Sequence, residues 1–544
     1  MSLQPFVQPE PRPRHGFRDD WLLRSFVRHR LPPEVATALE PELDELGTRA
    51  AGPLWDFQLA DRLNEPRLTS FDAWGNRIDR IELTPLWQEA ERLAVHYGLT
   101  AHATERRHGS WSRVHQFLLV HLLHPVTDVY TCPLAMTDGA ARTLLATGNH
   151  ALIERAVPRL TSRDPTRFWT SGQWMTEATG GSDVGLSQTR AELRDGVWRL
   201  YGKKWFTSAA TSQMALTLAR PEGNGPGGSG LALFYLETRD ADGQLNGIRV
   251  ERLKDKLGTR KVPTAELTLD GTVAELVAGL THGTRNIEPM LRVTRTWNSV
   301  CAASFLRHGL GLAEDYAARR VAFGATLAEQ PLHRATLDDV DAESAGAFLL
   351  AFLLVELLGR DEGGALDAAE AALLRVLTPI AKATTGRQGA AGASELIEAF
   401  GGAGYVEDTG IPKLLRDSQV LPIWEGTTNV LSLDLLLRAD LDQGLAALRQ
   451  RAATAGEAAA DNELRAACAM SLAAVDRAAS WHHDTRDPAA RQRGARQFAL
   501  TLGRALQLAL LVEHAALLAG TAEAGVARQA CLRFQKLGVD LLRD

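Results

Sequence analysis

Cysteine is scarce in this sequence, and its arrangement excludes two kinds of site. The four cysteines among 544 residues lie far apart and include no C-x-x-C pair. A disulfide framework and a cysteine zinc site are therefore not expected. Scattered cysteines are typical of proteins in a reducing compartment, so we expect a cytoplasmic location.

Long apolar segments are missing as well. The N-terminal segment MSLQPFVQPEPRPRHGFRDDW carries prolines and charges where a signal peptide has an apolar core. The apolar run at residues 347–355 is much shorter than the roughly 20 residues that a membrane-spanning helix needs. We therefore expect no membrane partner.

The sequence has no excess of positive charge: 60 Lys and Arg stand against 66 Asp and Glu, a formal net charge of −6. This argues against a whole-surface affinity for nucleic acid but allows a local basic patch. No G-x-G-x-x-G follows a predicted strand and opens a helix, which disfavours a Rossmann domain. The Gly-rich stretch GNGPGGSG lacks the Lys-Ser/Thr ending of a P-loop and is interpreted as a hairpin loop.

Hydrophobic periodicity predicts an α+β protein with segregated helices and strands. Short alternating runs between about 170 and 280 predict a central antiparallel β domain, with hairpin signals at Asp195-Gly196, Asp242-Gly243 and Asp270-Gly271. After 285 the pattern is helical, and four long amphipathic segments predict a bundle. The predicted domains are an N-terminal arm and helical domain at 1–170, the β domain at 171–284, the bundle at 285–440 and a C-terminal helical domain at 441–544.

The segment IWEGTTN places a lone carboxylate, Glu425, between the apolar residues Ile423 and Trp424 and the start of a helical run. An acidic residue here is either a helix-capping residue that favourably meets the helix dipole or a carboxylate held in an apolar pocket for chemistry. The segment alone does not decide between them.

Four further segments carry candidate binding residues: MTEATGGSDV at 175–184, KKWFTS at 203–208, RRVAFG at 319–324 with Gln330, and the stretch from Glu398 to Asn429. Each alone is more often a turn or a core element. In this order and spacing they resemble the acyl-CoA dehydrogenase flavoproteins. That family has a helical domain, a central β domain and a four-helix bundle, with FAD as cofactor.

The resemblance implies a role for each matching residue. Met175, Thr176, Gly181 and Ser182 would line the flavin ring and its pyrimidine edge, and Trp205, Phe206 and Thr207 its dimethylbenzene side and N5. Arg320, Phe323, Gln330, Phe400, Gly401 and Gly402 would reach the FAD of a neighbouring subunit, which implies a homotetramer. Ile423, Trp424, Gly426, Thr427 and Asn429 would also bind cofactor. Glu398 departs from the family, which usually has Gln there.

Glu425 falls where most of the family carries its catalytic base. A thioester α-proton is weakly acidic, and a dry pocket strengthens a carboxylate as a proton acceptor. Some members carry the base on an earlier helix, just before an arginine, but this chain has Thr294 at that position, ahead of Arg295. The resemblance therefore favours the pocket interpretation of Glu425, with an acyl thioester as substrate.

A closer resemblance, to the AidB-type adaptive-response branch, is carried by LNEPRLTSFDAWGNRIDRIELTPLW, by RVERLKDKLGTR and by Trp424. It implies α,β-dehydrogenation chemistry at FAD together with double-stranded DNA binding in the response to alkylation damage. The alternative is an ordinary catabolic acyl-CoA dehydrogenase for a long or branched thioester, without DNA binding.

The candidate phosphate contacts are arginines of the C-terminal region, where 13 Lys and Arg stand against 11 Asp and Glu. Clustered arginines can contact phosphates without reading base sequence, although a solvated helix face has the same composition. The candidates are Arg486, Arg491, Arg493, Arg496 and Arg504. No metal site is predicted, because His121 and His124 lack an evident carboxylate or third ligand. The segment His482-His483-Asp484 is interpreted as a polar loop between helices.

Overall fold

The computed structural model describes residues 8–438, 440–459 and 461–543. The chain forms two compact units, each described by itself below. The helical unit comprises the residues up to Leu59, Arg106–Val126 and the residues from Asn298 onward. The β unit comprises Ala60–Glu105 and Thr127–Trp297.

The helices and strands follow the predicted order of helices, strands and helices. The N-terminal part contains α1 (Trp21–Arg30), α2 (Pro33–Ala51), α3 (Pro53–Ala60), β1 (Arg67–Phe71), β2 (Arg77–Glu82), α4 (Pro85–His96), α5 (His102–Glu105), α6 (Ser112–Leu123), α7 (Thr131–Thr147) and α8 (His150–Leu160). The central part contains β3 (Ser171–Trp174), β4 (Arg190–Arg194), β5 (Val197–Thr207), β6 (Met214–Pro221), β7 (Ala232–Glu237), β8 (Ile248–Leu253) and β9 (Ala265–Leu276). The C-terminal part contains α9 (Gly283–Asn286), α10 (Glu288–Arg319), β10 (Val321–Ala322), β11 (Ala325–Thr326), α11 (Pro331–Glu362), α12 (Ala368–Ala399), α13 (Pro412–Ser418), α14 (Thr428–Arg438), α15 (Leu441–Glu457), α16 (Asn462–Asp484), α17 (Pro488–Leu517) and α18 (Ala524–Lys536).

Several helices begin at a side-chain cap that the local sequence supplies. The Asp20 carboxylate accepts hydrogen bonds from the amides of Leu22 and Leu23 at the start of α1. Asp461 accepts from the Leu464 amide at the start of α16, and Asp487 precedes the proline at the first position of α17. Such caps satisfy amides that have no partner inside the helix.

The strands of the β unit form a nearly closed barrel. Along the sheet the order is β3-β6-β4-β5-β9-β7, and β7 also pairs with β6, so five strands close into a ring; β8 pairs with β9. Most pairs are antiparallel, as predicted, but β3 and β4 each pair with β6 in parallel. Buried residues such as Trp174, Leu200, Phe234 and Leu267 fill the core.

One hairpin prediction is confirmed and one is wrong. Asp195 and Gly196, both with positive φ, form the turn between β4 and β5. Asp270 and Gly271 instead lie inside β9, where the pairing with β5 shifts register, so this pair forms a β-bulge. A glycine with positive φ can occur in a hairpin turn or in a β-bulge, and only the pairing of the strands shows which of the two has formed. The β1–β2 hairpin, within the predicted helical domain, was not predicted.

The helical unit contains the predicted bundle. Helices α10, α11, α12 and α14 lie within a few residues of the four amphipathic segments, and the predicted fold class is confirmed. Helix α17 packs against α11, α12 and α14, so the C-terminal helices share one unit with the bundle. The domain boundaries of the sequence analysis stay predictions.

Two helices, α11 and α17, are long and apolar enough to cross a membrane by length and composition alone. Within the fold, however, 89% and 72% of their most apolar windows are buried. A mostly buried helix of this kind is explained by its packing against other helices.

Candidate functional site

The segment 175–182, which follows β3, is tied to the end of β5. The Thr176 carbonyl accepts a hydrogen bond from the Trp205 amide at 2.9 Å. A Cβ at Gly181 would lie 2.6 Å from the Thr176 hydroxyl, so this close approach requires glycine. Met175 and Thr176 are half-buried, whereas Gly181 and Ser182 are exposed. The structure therefore brings two of the predicted flavin-binding segments together within the β unit.

A buried carboxylate, which the sequence analysis did not single out, supports this segment. Glu177 accepts hydrogen bonds from the Thr189 hydroxyl at 2.6 Å, the Gln188 amide at 2.6 Å and the Lys204 ammonium at 2.8 Å. The same ammonium donates to the Leu218 carbonyl at 2.9 Å. Burial by itself would raise the pKa of Glu177, but Lys204 and the hydrogen bonds hold that pKa below its usual value. Glu177 is therefore an ionised carboxylate that joins the segment to β5.

The aromatic pair on β5 lies at a bulge. Trp205 and Phe206 together stand opposite Glu266, because Lys204 pairs with Leu267 and Thr207 with Ala265. The Trp205 ring is half-buried, and the Phe206 side chain is 51% exposed. The Lys254 ammonium lies 3.5 Å from the Trp205 ring centroid, within the range of a cation–π interaction. The bulge leaves the Phe206 ring accessible.

Thr207 differs from its two neighbours. Its side chain is fully buried, and its hydroxyl donates a hydrogen bond to the Ala265 carbonyl at 2.5 Å. The hydroxyl is therefore occupied within the β unit, and the predicted contact of Thr207 with a flavin stays a prediction. Strict alternation from buried Lys204 would place Thr207 on the opposite face of the strand, so it is the bulge between them that lets both side chains be buried.

In the helical unit, Arg320, Phe323 and Gln330 lie around the β10–β11 hairpin. Phe323 and Gly324, both with positive φ, form its two-residue turn, and the Phe323 side chain is 99% exposed. The Gln330 amide donates to the Ala322 carbonyl at 3.0 Å, and the Arg320 carbonyl accepts from the Leu327 amide at 2.8 Å. The structure therefore brings these three predicted residues together on one projecting element.

The FGG segment divides into a core residue and two surface glycines. Phe400 is buried, with its ring 5.1 Å from that of Tyr316, and its predicted contact with a neighbouring FAD stays a prediction. A Cβ added at Gly401 or Gly402 would meet no atom within 4 Å in the described part of the chain. The two glycines therefore leave exposed backbone that a ligand can approach. Glu398 is exposed near the end of α12.

Glu425 lies on a strained turn just before α14. Its φ is +58°, which is uncommon for a residue with a side chain, and Gly426 follows with a φ of +102°. The side chain of Glu425 is half-buried. The Thr427 hydroxyl accepts from the Val430 amide at 3.3 Å, and the Thr427 carbonyl from the Leu431 amide at 3.0 Å, so Thr427 occupies the capping position. The capping interpretation of Glu425 is therefore unnecessary.

The side chains flanking Glu425 differ in accessibility. Ile423 is 59% exposed, and Thr427 and Asn429 are also exposed. Trp424 is half-buried, and its indole N–H donates to the Oδ1 atom of Asn298. The Asn298 amide in turn donates to the Leu421 carbonyl at 3.2 Å. The turn is thereby attached to α10.

A second attachment comes from α12. Lys382 is fully buried, and its ammonium donates to the Gly426 carbonyl at 2.6 Å. Sequence reasoning missed this residue and Asn298. The available signal was a lone lysine inside the apolar helical stretch TPIAKAT, a position where a charge is rarely buried without a partner.

Three family models match successive parts of the chain. The adaptive response protein AidB N-terminal domain matches residues 8–165, the acyl-CoA dehydrogenase middle domain matches 172–272, and the acyl-CoA dehydrogenase C-terminal domain matches 281–440. The Caenorhabditis elegans ACDH-11 structure in complex with C11-CoA is 37% identical, with a TM-score of 0.95, over 100% of this chain and 94% of that one.

Two curated relatives decide the family. Acyl-CoA dehydrogenase family member 11 of Caenorhabditis elegans is 43% identical over 441 residues, which are 79% of this chain and 72% of the relative. AidB of Escherichia coli (strain K12) is 33% identical over 395 residues, which are 69% of each chain. The chain belongs to the acyl-CoA dehydrogenase family. The predicted family, its AidB-type N-terminal part and the fold are confirmed.

As an acyl-CoA dehydrogenase, the chain is an oxidoreductase with FAD as its cofactor. The described residues fit this group, because each unit presents accessible surface where the family motifs lie. The β unit presents the exposed Phe206 ring beside segment 175–182, and the helical unit presents Ile423 and the open backbone at Gly401 and Gly402. Apolar faces and unobstructed backbone are what a flavin ring and a pyrophosphate require.

The arginines predicted to contact DNA lie in different environments. Arg486 and Arg493 are exposed, and Arg496 is half-buried. Arg491 donates to the Nδ1 atom of His482 at 2.9 Å. This cluster therefore presents only part of its charge to solvent.

Arg504 is engaged in an ion pair away from this cluster, and its assignment to DNA stays a prediction. Its guanidinium makes a bidentate ion pair with Glu343 at 2.8 and 3.0 Å and lies 4.5 Å from the Phe534 ring centroid. Only 12% of its side chain is exposed. A guanidinium occupied in this way joins α17 to α11, which disfavours an additional pairing with a phosphate.

The second histidine pair lies near a carboxylate. The Nε2 atoms of His482 and His483 are each 3.7 Å from the same oxygen of Asp442. Because Arg491 donates to Nδ1 of His482, a neutral His482 ring carries its hydrogen on Nε2, which disfavours metal binding by that atom. The absence of a metal stays a prediction.

Proposed function

We propose that this protein is an acyl-CoA dehydrogenase that oxidises an acyl thioester without acting on DNA. The observation that carries the proposal is Glu425, a half-buried carboxylate on a strained turn whose capping role is filled by Thr427. Strained backbone persists where surrounding structure holds it, and it is concentrated at functional sites. The complex of the similar ACDH-11 with C11-CoA supports an acyl-CoA as the substrate.

In this reaction Glu425 supplies the base. Its carboxylate takes the α-proton of the thioester, and the electron pair of that C–H bond becomes part of the new carbon–carbon double bond. FAD, when bound, supplies the acceptor for the hydride that leaves the β-carbon. The exposed Ile423 and half-buried Trp424 directly precede Glu425 in the chain and offer apolar surface to a substrate.

The test is anaerobic bleaching of the flavin absorbance by short-, medium- and long-chain acyl-CoAs. We expect at least one of them to reduce the wild-type flavin. Glu425→Gln should keep its FAD and lose on the order of 10²–10⁴ in the reduction rate, because a positioned base is removed. No reduction by any acyl-CoA, or an unchanged rate in Glu425→Gln, would overturn the proposal.

We also propose that the protein assembles as a homotetramer. The support is a set of exposed apolar side chains near the hairpin turn and the FGG segment of the helical unit, which includes Val321, Phe323, Leu332 and Tyr405. Such side chains are typical of surfaces that another chain covers. Light scattering on the eluted protein would measure the assembly, and a monomer at micromolar concentration would contradict it.

DNA association in an alkylation response is the second candidate function. It is supported by the AidB-type N-terminal domain and by the exposed Arg486 and Arg493 on and before α17. The ion pair of Arg504 weakens it. Duplex DNA retention should fall steeply with salt if the cluster contacts phosphates. If Arg491, Arg493 and Arg496 are replaced by glutamine and the salt dependence is unchanged, the cluster is a solvated surface.

A cytoplasmic location is proposed as well. All four cysteines are free and buried, as suits a reducing compartment. Cell fractionation would test the location, and recovery with the membrane or a secreted fraction would contradict it.

A further inference from the structure

We propose that Lys382 is a positioning residue for the proton-abstraction step, holding the turn that carries Glu425 in its reactive conformation. This inference rests on the proposed role of Glu425 as the base. Lys382 does not touch the substrate in this role. It acts through the backbone of the residue that follows the base.

The first observation is the strain of the turn. Glu425 and Gly426 have φ values of +58° and +102°, so two consecutive residues lie in the left-handed region. Glycine adopts this region freely, but glutamate does so at a cost. An unsupported turn of this kind would relax toward negative φ at residue 425 and carry the carboxylate to a different place.

The second observation is the support itself. The Lys382 ammonium donates to the Gly426 carbonyl at 2.6 Å, across 44 residues of sequence. A hydrogen bond from a charged donor is shorter and stronger than one between neutral groups. The bond reaches the carbonyl of the residue after Glu425, so it restrains the peptide plane between Gly426 and Thr427, which follows the two left-handed residues of the turn.

The third observation is that the support comes from a buried charge. Lys382 is fully buried in α12, a 32-residue helix with many buried apolar residues. Removing an ammonium from water costs free energy, and a well-packed apolar residue often stabilises such a position equally well. The hydrogen bond to the Gly426 carbonyl offsets part of this cost, and it fixes the position of that carbonyl as an apolar residue could not.

The remainder of the turn is held from a second helix. Asn298 accepts from the Trp424 indole and donates to the Leu421 carbonyl at 3.2 Å. Glu425 thus lies between two attachment points, Trp424 on one side and Gly426 on the other. The Gly426 attachment is the one on the strained side, and we expect its loss to affect the carboxylate most.

The test compares Lys382→Met, which keeps the length of the side chain but removes the donor, with Leu377→Ala on the same helix. Leu377 is fully buried, and its truncation lowers stability without removing the hydrogen bond to Gly426. The measurements are FAD content, melting temperature, amide hydrogen exchange at residues 424–428, and the anaerobic flavin reduction rate with its dependence on substrate concentration.

For Lys382→Met we expect faster amide exchange confined to the turn and a reduction rate lower on the order of tenfold to a hundredfold, because a displaced base reacts poorly. FAD content and the substrate concentration for half-maximal rate should stay close to wild type. For Leu377→Ala we expect a lower melting temperature, with wild-type exchange at the turn and a wild-type rate.

Two outcomes would overturn the inference: a wild-type rate in Lys382→Met, or an equal loss of rate in Leu377→Ala. If Lys382→Met does not fold, Lys382→Leu, which also lacks a donor, gives the same comparison. Local exchange is measured without substrate, so it distinguishes this inference from the proposed function. A loosened turn in a protein that no acyl-CoA reduces would refute the function and retain the structural role of Lys382.

Discussion

In the β unit, segment 175–182 rests on the buried Glu177–Lys204 pair, whereas in the helical unit the hairpin around Phe323 projects its ring into solvent. The carboxylate of Glu177 accepts three hydrogen bonds at 2.6 to 2.8 Å from within its own unit. Phe323 is 99% exposed, and its hairpin consists of two-residue strands. Both regions carry residues that the resemblance to the family predicts to contact FAD. Only segment 175–182 is held in place by contacts within its own unit.

The difference indicates how the two regions acquire their final form. A buried ion pair whose other donors and acceptors are hydrogen-bonded holds the surrounding backbone in one conformation before any ligand binds. An exposed apolar turn has no such restraint, and its conformation depends on what covers it. The first region is therefore expected to respond to internal mutations, and the second to changes in assembly.

The largest effect on stability is expected from breaking the pair in the β unit. Lys204→Met leaves Glu177 as a buried carboxylate without its ammonium, and breaking one partner of a buried pair costs about 3–5 kcal/mol. Chemical denaturation would measure this loss. Lys203→Met, at an exposed neighbouring position, should stay within about 0.5 kcal/mol of wild type. A Lys204→Met variant as stable as wild type would contradict the role of the pair.

A smaller effect is expected from acid, and it should begin in the helical unit. Burial lowers the pKa of His121 to about 4, and burial with the positive charges of Lys413 and Arg14 lowers the pKa of His308 to about 3. Unfolded histidine has a pKa near 6.5, so below that pH the unfolded state binds protons that the folded state does not. The free energy of unfolding should therefore be constant above pH 7 and fall from pH 6.5 towards pH 4, by up to about 1.4 kcal/mol per pH unit for each group.

Hydrogen exchange between pH 7 and pH 5 would locate this effect. The amides of α6 and α10, which carry the two histidines, should lose protection before those of the barrel strands. His308→Gln should make the fall shallower, whereas the matched change at exposed His150 should leave it unchanged. Simultaneous loss of protection in both units would contradict the assignment to the helical unit.

The smallest effect on unfolding is expected at Phe323. Because its side chain is almost fully exposed, Phe323→Ser should change the free energy of unfolding of the isolated chain by less than about 0.5 kcal/mol. It should nevertheless shift the proposed tetramer towards smaller species in light scattering. Leu193→Ser, at an exposed position on β4, serves as the control. Unchanged assembly in Phe323→Ser would mean that the hairpin lies outside the interface.

Much of the fold could be predicted from local sequence, because the causes are local. The 3.6-residue apolar period marks the long helices of the bundle, and Asp195-Gly196 marks a hairpin turn because two residues with positive φ are needed there. Asp270-Gly271 has the same local preference and forms a bulge instead. The difference is made by the pairing of β9 with β5, which a short window of sequence does not contain.

The candidate site divides in the same way. The family motifs placed Glu425 and the aromatic pair at 205 and 206, since residue order and spacing are properties of the chain. Burial decided the rest: Phe400 packs against Tyr316 while Phe323 is exposed, and Arg504 pairs with Glu343. The amino-acid type alone does not indicate whether a side chain will be buried, exposed or ion-paired in the folded protein.

The sequence by itself determined the order of helices and strands, the family and the position of the proposed catalytic carboxylate, because these depend on periodicity, turn chemistry and motif spacing. Only the tertiary structure decided that Lys382 supports the turn after Glu425 and that Lys204 pairs with Glu177. These partners are 44 and 27 residues apart along the chain. A hydrogen bond depends on distance in space, and that distance is set when the helices and strands pack.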